Sequence, residues 1–369
     1  MQLKRLYFID AIRAFAILMM LQGHFIDTLL AVEYRDANNL AFNTWKYFRG
    51  ITAPVFFTIS GLIFTYLLLK AKEKGTLNFR MRKGVVRGLM LIGIGYALRI
   101  PLFRWLIGSF GTYFMVIDVL QIIGLSLILI VGVYILTQKK TLLFSITMLC
   151  LGTLVFLTEP FYRTFTAEGI PLLFANYLTK VNGSVFTIVP WFGYMAYGAF
   201  IATLFYGYLL HPRFKTAIVT GFFTVGFGLI LGSSAFLHWL ATTSDFILFS
   251  EVANYNYLFV RLGNVLILFG LFYALESYLK HAVILKIGQK TLSIYVLHFI
   301  LLYGSFTGLG LNKIFGKNLS PFQAITGALC FLVIVSLLSI YISKANKQLS
   351  DYIRKKAQLP KPTIKSLNT

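Results

Sequence analysis

Runs of apolar residues long enough to cross a bilayer recur along almost the whole chain. A helical span needs about 20 predominantly apolar residues, and such stretches occupy 6–31, 48–69, 84–106, 114–136, 142–157, 185–210, 217–237, 255–278, 287–303 and 321–342. The fifth and ninth are short. The pattern predicts an all-α polytopic integral membrane protein with about ten transmembrane helices. One transmembrane domain is expected over 1–343, followed by a basic tail over 344–369 that lacks the apolar content to pack. No fixed-period repeat is evident. The first apolar stretch is too long for a signal-peptide core and has no small-residue cleavage site after it, so it is expected to remain as the first helix.

Composition agrees with this reading: 58% of residues are hydrophobic and 12% charged, beyond what a soluble domain shows. The net charge of +22 raises a nucleic-acid reading, and the placement of the cations removes it. Lys and Arg gather at 1–5, 70–87, 139–140, 213–215, 280–290 and 344–365. With ten spans these are alternate loops on the side of both termini, as the positive-inside rule requires of a cytoplasmic face. Cys150 and Cys330 fall inside apolar spans and read as small buried packing residues, with no disulfide or metal implied.

Ionisable residues inside spans carry the chemistry, because burying one costs roughly 2.5 to 3.5 kcal/mol on the insertion scale unless it is paired or faces water. The first span holds Asp10, Arg13, His24 and Asp27. Arg13 and His24 are eleven residues apart. At about 100° per residue they return to within about 20° of the same face, separated by about 16 Å along the axis. Asp10 can pair with Arg13 one turn away. A packing account makes this an interfacial ion pair and an interhelical histidine. A chemical account makes it a channel, with a guanidinium that grips a phosphate at one end. At the other end stands an imidazole able to take a proton from a hydroxyl or amine.

The Arg-x10-His pattern resembles the signature of the transmembrane acyltransferase superfamily, which includes acyltransferase-3 and heparan-α-glucosaminide N-acetyltransferase-like proteins. Two further segments agree with it, Arg49-Gly-Ile-Thr-Ala-Pro54-Val-Phe-Phe-Thr-Ile-Ser60-Gly61 and the basic Phe79-Arg80-Met-Arg82-Lys83-Gly-Val-Val-Arg87. Three later ones look more like the glucosaminide branch: Asp118-Val-Leu-Gln121-Ile-Ile-Gly124, Pro190-Trp191-Phe-Gly193, and Ile287-Gly288-Gln289 through Ser293, Tyr295 and His298. The resemblance implies transfer of an acetyl group from cytoplasmic acetyl-CoA to a sugar hydroxyl or amine of a glycan presented from the opposite face. It implies His24 as the catalytic residue, with Asp27 beside it, acting as general base or as acyl carrier. Arg13 with Asp10, and more remotely Arg82 and Arg87, are implied as contacts for the coenzyme phosphates. Where lysosomal members carry a His-x-x-Trp-Asn-Gly-like stretch, this chain reads Leu40-Ala-Phe-Asn43-Thr-Trp45-Lys46-Tyr47. A first-helix histidine instead follows the acyltransferase-3 pattern, whose members O-acylate surface polysaccharides, lipopolysaccharide or peptidoglycan, so O- and N-acylation both stay open.

Asp118 and Gln121, one turn apart, are candidates either to line a cavity or to bridge helices. Trp191 follows a proline that can break a helix at an acceptor or acyl pocket, or is an interfacial Trp; Arg261 needs a partner or an anionic ligand; and His298 matches a family histidine or makes a packing hydrogen bond. Besides acyl-CoA and the glycan acceptor, membrane lipids and a second copy of the chain are candidate partners; no metal and no nucleic acid is expected. The compact length suggests a bacterial inner membrane, with both termini cytoplasmic. The competing class is a lipid or sugar flippase built on broken helices at Gly93, Gly95, Pro190 and Gly198. It leaves the stripe joining Arg13 to His24 without a purpose.

Overall fold

The computed structural model describes residues 6–356. Within them the principal elements are α1 Tyr7–Leu29, α2 Leu40–Arg49, α3 Thr52–Glu73, α4 Leu77–Ala97, α5 Val119–Leu136, α6 Thr141–Leu157, α7 Ile188–Tyr208, α8 Phe214–Ser244, α9 Tyr257–Ala274, α10 Ala282–Gln289, α11 Thr291–Tyr303 and α12 Pro321–Lys356. Shorter helices occupy the connections. The fold is all-α, and the expected spans fall on helices, the ninth across the bend between α10 and α11. Seven helices, or two joined helices, are long and apolar enough to cross a membrane alone among the described residues, and the bent pair α10 and α11 makes an eighth. The remaining two expected spans are α6, a 17-residue apolar helix, and α4, whose first turns carry the Arg80 to Arg87 cations. The helices show apolar flanks to their surroundings, as with Phe227, Leu231 and Phe236 on α8 and Phe322, Leu329 and Val333 on α12. Surfaces of this kind need lipid to cover them, which makes the protein a polytopic membrane protein.

The chain divides into two compact units. The first comprises Met1–Phe42, Glu276–Gly304 and Leu309–Thr369, and the second Asn43–Leu275 with Ser305–Gly308. The last helix passes the expected boundary at 343 and runs to Lys356, while the basic leader 1–5 and the end of the tail, 357–369, lie outside the described residues.

In the first unit α1 is flanked by α10, α11 and α12. Its first turn leaves backbone N–H groups unsatisfied, and the Phe8 N–H donates to the Glu276 carboxylate at 3.2 Å. At its other end Arg35 donates to the carbonyls of Asp27 and Leu30 at 2.7 and 2.8 Å, closing the open C-terminus. The segment before α12 pairs with this end through Leu30 and Leu319. Helix α10 crosses α1 closely: a Cβ on Gly288 would stand 2.0 Å from the Asp10 carbonyl oxygen. We expect Gly288→Ala to cost about 3 kcal/mol, the upper end of ordinary overpacking, because the obstacle is backbone; thermal unfolding of the variant, read as a lower midpoint, checks this.

In the second unit α3 and α7 interlock through small residues. Gly198 sits against the Thr58 carbonyl and Gly61 against the Met195 carbonyl, with no room for a Cβ at either, the close approach that apolar solvent favours between helices. Gly198 is therefore a packing glycine in a continuous part of α7 rather than a break. The irregularity in α7 lies in its first turn, at Val189, whose φ and ψ are −98° and 126°. Cys150 and Cys330 correct the sequence reading. Both are free thiols exposed on the outer faces of α6 and α12, where apolar side chains meet lipid as readily as they meet the core.

Candidate functional site

The first unit gathers the chemistry that the sequence placed on α1. Near the start of that helix the Arg13 guanidinium donates from Nη2 to Thr291 Oγ1 at 2.7 Å and lies 3.7 Å from Asp10 Oδ1. Thr291 opens α11, directly after the 68° bend that separates it from α10. Arg13 therefore links α1 to α11, its side chain 21% exposed.

Further along α1, His24 Nδ1 is 2.7 Å from the hydroxyl of Tyr303, the last residue of α11. Thr28, one turn on, donates to the same phenol oxygen at 3.4 Å. The ring of His298 packs edge-on to His24, with centroids 5.3 Å apart. His298 is fully buried, and its Nδ1 contacts the Tyr295 carbonyl. A carbonyl only accepts, so Nδ1 carries the proton. The other nitrogen, Nε2, is then a bare lone pair, and it is buried with no hydrogen-bond partner. Orphaned buried polar atoms are uncommon and call for a reason; here the orphan is a basic nitrogen beside a second imidazole. Residues 274 and 279 positions from His24 complete this cluster.

Asp27 is held elsewhere. Its carboxylate lies 3.8 Å from Arg35 Nη1 and is 40% exposed, within the arrangement that closes the C-terminus of α1.

The remaining predicted residues belong to the second unit. Asp118 is the N-cap of α5, its carboxylate accepting from the Val119 N–H at 2.8 Å while Gln121 Oε1 accepts from the Asp118 N–H at 3.2 Å, a capping box. The other Asp118 oxygen pairs with Arg99 Nη2 at 2.7 Å, and Gln121 packs against Gly95. Asp118 thus ties the start of α5 to the segment just after α4, while Gln121 Nε2 is buried without a hydrogen-bond partner. Arg261 donates from Nη1 to the Tyr47 carbonyl at 2.9 Å and lies over the Tyr47 ring, so the partner it needed is the end of α2. Trp191 packs among Phe57, Phe186 and Tyr194, its indole N–H buried and without a hydrogen-bond partner. Arg82 and Arg87 are exposed on α4.

A further polar knot lies in the connection after α6. Glu159, 8% exposed, takes both Arg163 Nε and Nη2, at 3.3 and 2.5 Å, and accepts from the Tyr257 hydroxyl at 3.3 Å. Burial pushes the nearby Lys180 ammonium down, and the Glu159 charge partly restores it. Its donors are all internal, so it serves as a clamp between connections. No group of three or more His, Cys, Asp or Glu is gathered for a metal among the described residues.

Residues 5–244 match the catalytic domain family of heparan-alpha-glucosaminide N-acetyltransferase. The chain belongs to this family. It is a membrane protein of an acetyltransferase family, and α1 with Arg13 and His24 lies within the matched stretch, whereas α11 with His298 and Tyr303 lies beyond it. None of the curated proteins compared matches the chain.

Thr28, Thr291 and Tyr303 are the site residues that the sequence did not reveal. Thr291 and Tyr303 sit at the two ends of one short helix, and neither carries a charge that would have marked it as costly to bury.

Proposed function

We propose that the protein transfers an acetyl group from acetyl-coenzyme A to a hydroxyl or amine of a glycan acceptor, with His24 as general base. The observation that carries this reading is the pairing, on one helix, of a partly exposed guanidinium at Arg13 with an imidazole whose Nδ1 is fixed by Tyr303. Arg13, with Thr291 and Asp10 setting its plane, would hold phosphate oxygens of the donor, and the donor's long thioester arm would run along α1 toward His24. Arg82 and Arg87, near the start of α4, belong to the basic stretch that the charge pattern assigns to the cytoplasmic face.

The step balances simply. His24 Nε2 takes the proton from the acceptor O–H or N–H as that atom attacks the thioester carbonyl; the C–S bond breaks, and the coenzyme A thiolate leaves and regains the proton from the imidazolium. His298, edge-on to His24 with ring centroids 5.3 Å apart, is the neighbour against which the His24 ring is set.

The test is release of free coenzyme A by the purified chain in lipid nanodiscs, given acetyl-CoA and a panel of amino sugars and polysaccharides. We expect turnover with at least one acceptor. In Arg13→Gln the KM for acetyl-CoA should rise about tenfold or more, the worth of one charge-assisted hydrogen bond, with a smaller change in kcat. An unchanged KM would remove Arg13 from the donor site.

A further inference from the structure

His24 has two nitrogens, and only one can serve as the base; what chooses between them is the partner on the other. In enzymes that use histidine as a base, a carboxylate commonly holds that second nitrogen. Asp27 is the carboxylate that the sequence offers, one turn after His24, but the structure pairs it with Arg35 at the helix end. The atom on His24 Nδ1 is the Tyr303 hydroxyl, at 2.7 Å.

Two proton arrangements fit that distance. Either the phenol donates to Nδ1 and leaves a proton on Nε2, or Nδ1–H donates to the phenol oxygen and leaves Nε2 as a lone pair. The first makes His24 useless as a base at Nε2; the second makes it ready. We infer that Tyr303 is the positioning residue of this site, accepting from Nδ1–H so that Nε2 of His24 is the reactive nitrogen. This rests on the acyl-transfer reading of His24 given above.

The contacts around the phenol accommodate the second arrangement, the one that a general base at Nε2 requires. The phenol oxygen can accept from His24 while Thr28 also donates to it. The Tyr303 ring is fixed against Phe299, with centroids 4.9 Å apart, so its oxygen has little freedom to leave the imidazole. When Nε2 gains a proton, the imidazolium keeps the same Nδ1–H bond and strengthens it, because a charged donor bonds more tightly than a neutral one. Tyr303 thus stabilises the charged form of His24 without introducing an anion into the span.

The titratable groups on elements packed against α1 are His298, Tyr295 and Tyr303 on α11, Lys286 on α10, and Cys330 and Tyr341 on the part of α12 up to Ile342, with Tyr7, Asp10, Arg13 and Asp27 on α1 itself. Lys286, Cys330 and Tyr341 are exposed. His298, beside His24, is the one whose protonation would oppose that of His24.

The experiment uses the full chain labelled with 15N-histidine in nanodiscs, the His24 signal being the one that vanishes in His24→Gln. Wild type should show His24 protonated at Nδ1 near neutral pH, and Tyr303→Phe should shift it toward the Nε2–H tautomer. The same variant should lose about tenfold or more in kcat, as removal of partners that orient a working histidine does elsewhere. A His24 tautomer unchanged by Tyr303→Phe overturns the proposal. So does protonation at Nε2 in the wild type, which decides the matter even if the variant does not fold. A wild type that binds no donor and releases no coenzyme A refutes acyl transfer instead, while the tautomer still reports on Tyr303.

Discussion

Replacing His24 with alanine should abolish coenzyme A release, by about 10² to 10⁴-fold, the usual contribution of a positioned acid or base. The fold should survive, because His24 is only partly buried and the ring removed stands beside His298 and Tyr303 rather than at a backbone crossing. Donor affinity should also survive, since Arg13 and Thr291 lie about 16 Å away along the helix at 1.5 Å per residue. The informative measurement is therefore paired: acetyl-CoA binding by calorimetry on the nanodisc-embedded variant, and coenzyme A release on the same preparation. Intact binding with lost release assigns His24 to the chemical step. Residual release at more than about a tenth of the wild-type rate would be inconsistent with a general base, given the same range.

The largest loss of stability should come from Asp118→Ala. That carboxylate does two things at once: it caps α5 and pairs at 2.7 Å with Arg99, whose side chain is 5% exposed. Removing one member of a buried pair costs about 3 to 5 kcal/mol, because the other charge stays buried without its counter-charge, and loss of an N-cap adds about 1 kcal/mol. Asp118→Asn keeps a cap and removes only the charge, so it should fall between the variant and the wild type. Thermal unfolding in nanodiscs orders the three. Whatever Asp118→Asn protein folds should retain the wild-type KM for acetyl-CoA, since both Asp118 oxygens are engaged by the protein itself. A raised KM with unchanged stability would return Asp118 to the cavity role that its sequence context also allowed.

The spans were legible because about 20 apolar residues in a row have few fates other than a membrane or a core. The stripe from Arg13 to His24 was legible because both lie on one helix, where a fixed rotation per residue relates any two positions. Asp118 was ambiguous because its meaning depended on Arg99, which reaches it only after the chain has left α4 and returned in α5. Cys150 and Cys330 were misread because a span is apolar on all sides, and no moment in its sequence separates the face toward helices from the face toward lipid.

The sequence by itself determined that this is a helical membrane protein of an acetyltransferase family, with a guanidinium and an imidazole on its first helix. Only the tertiary structure decided which groups complete that imidazole. Tyr303 and His298 stand 279 and 274 residues from His24, and contacts across such separations are set by the packing of α1 against α11, made close by the bend before Thr291 and by Gly288 against the Asp10 carbonyl. Local periodicity carries no information about a neighbour that arrives from the far end of the chain.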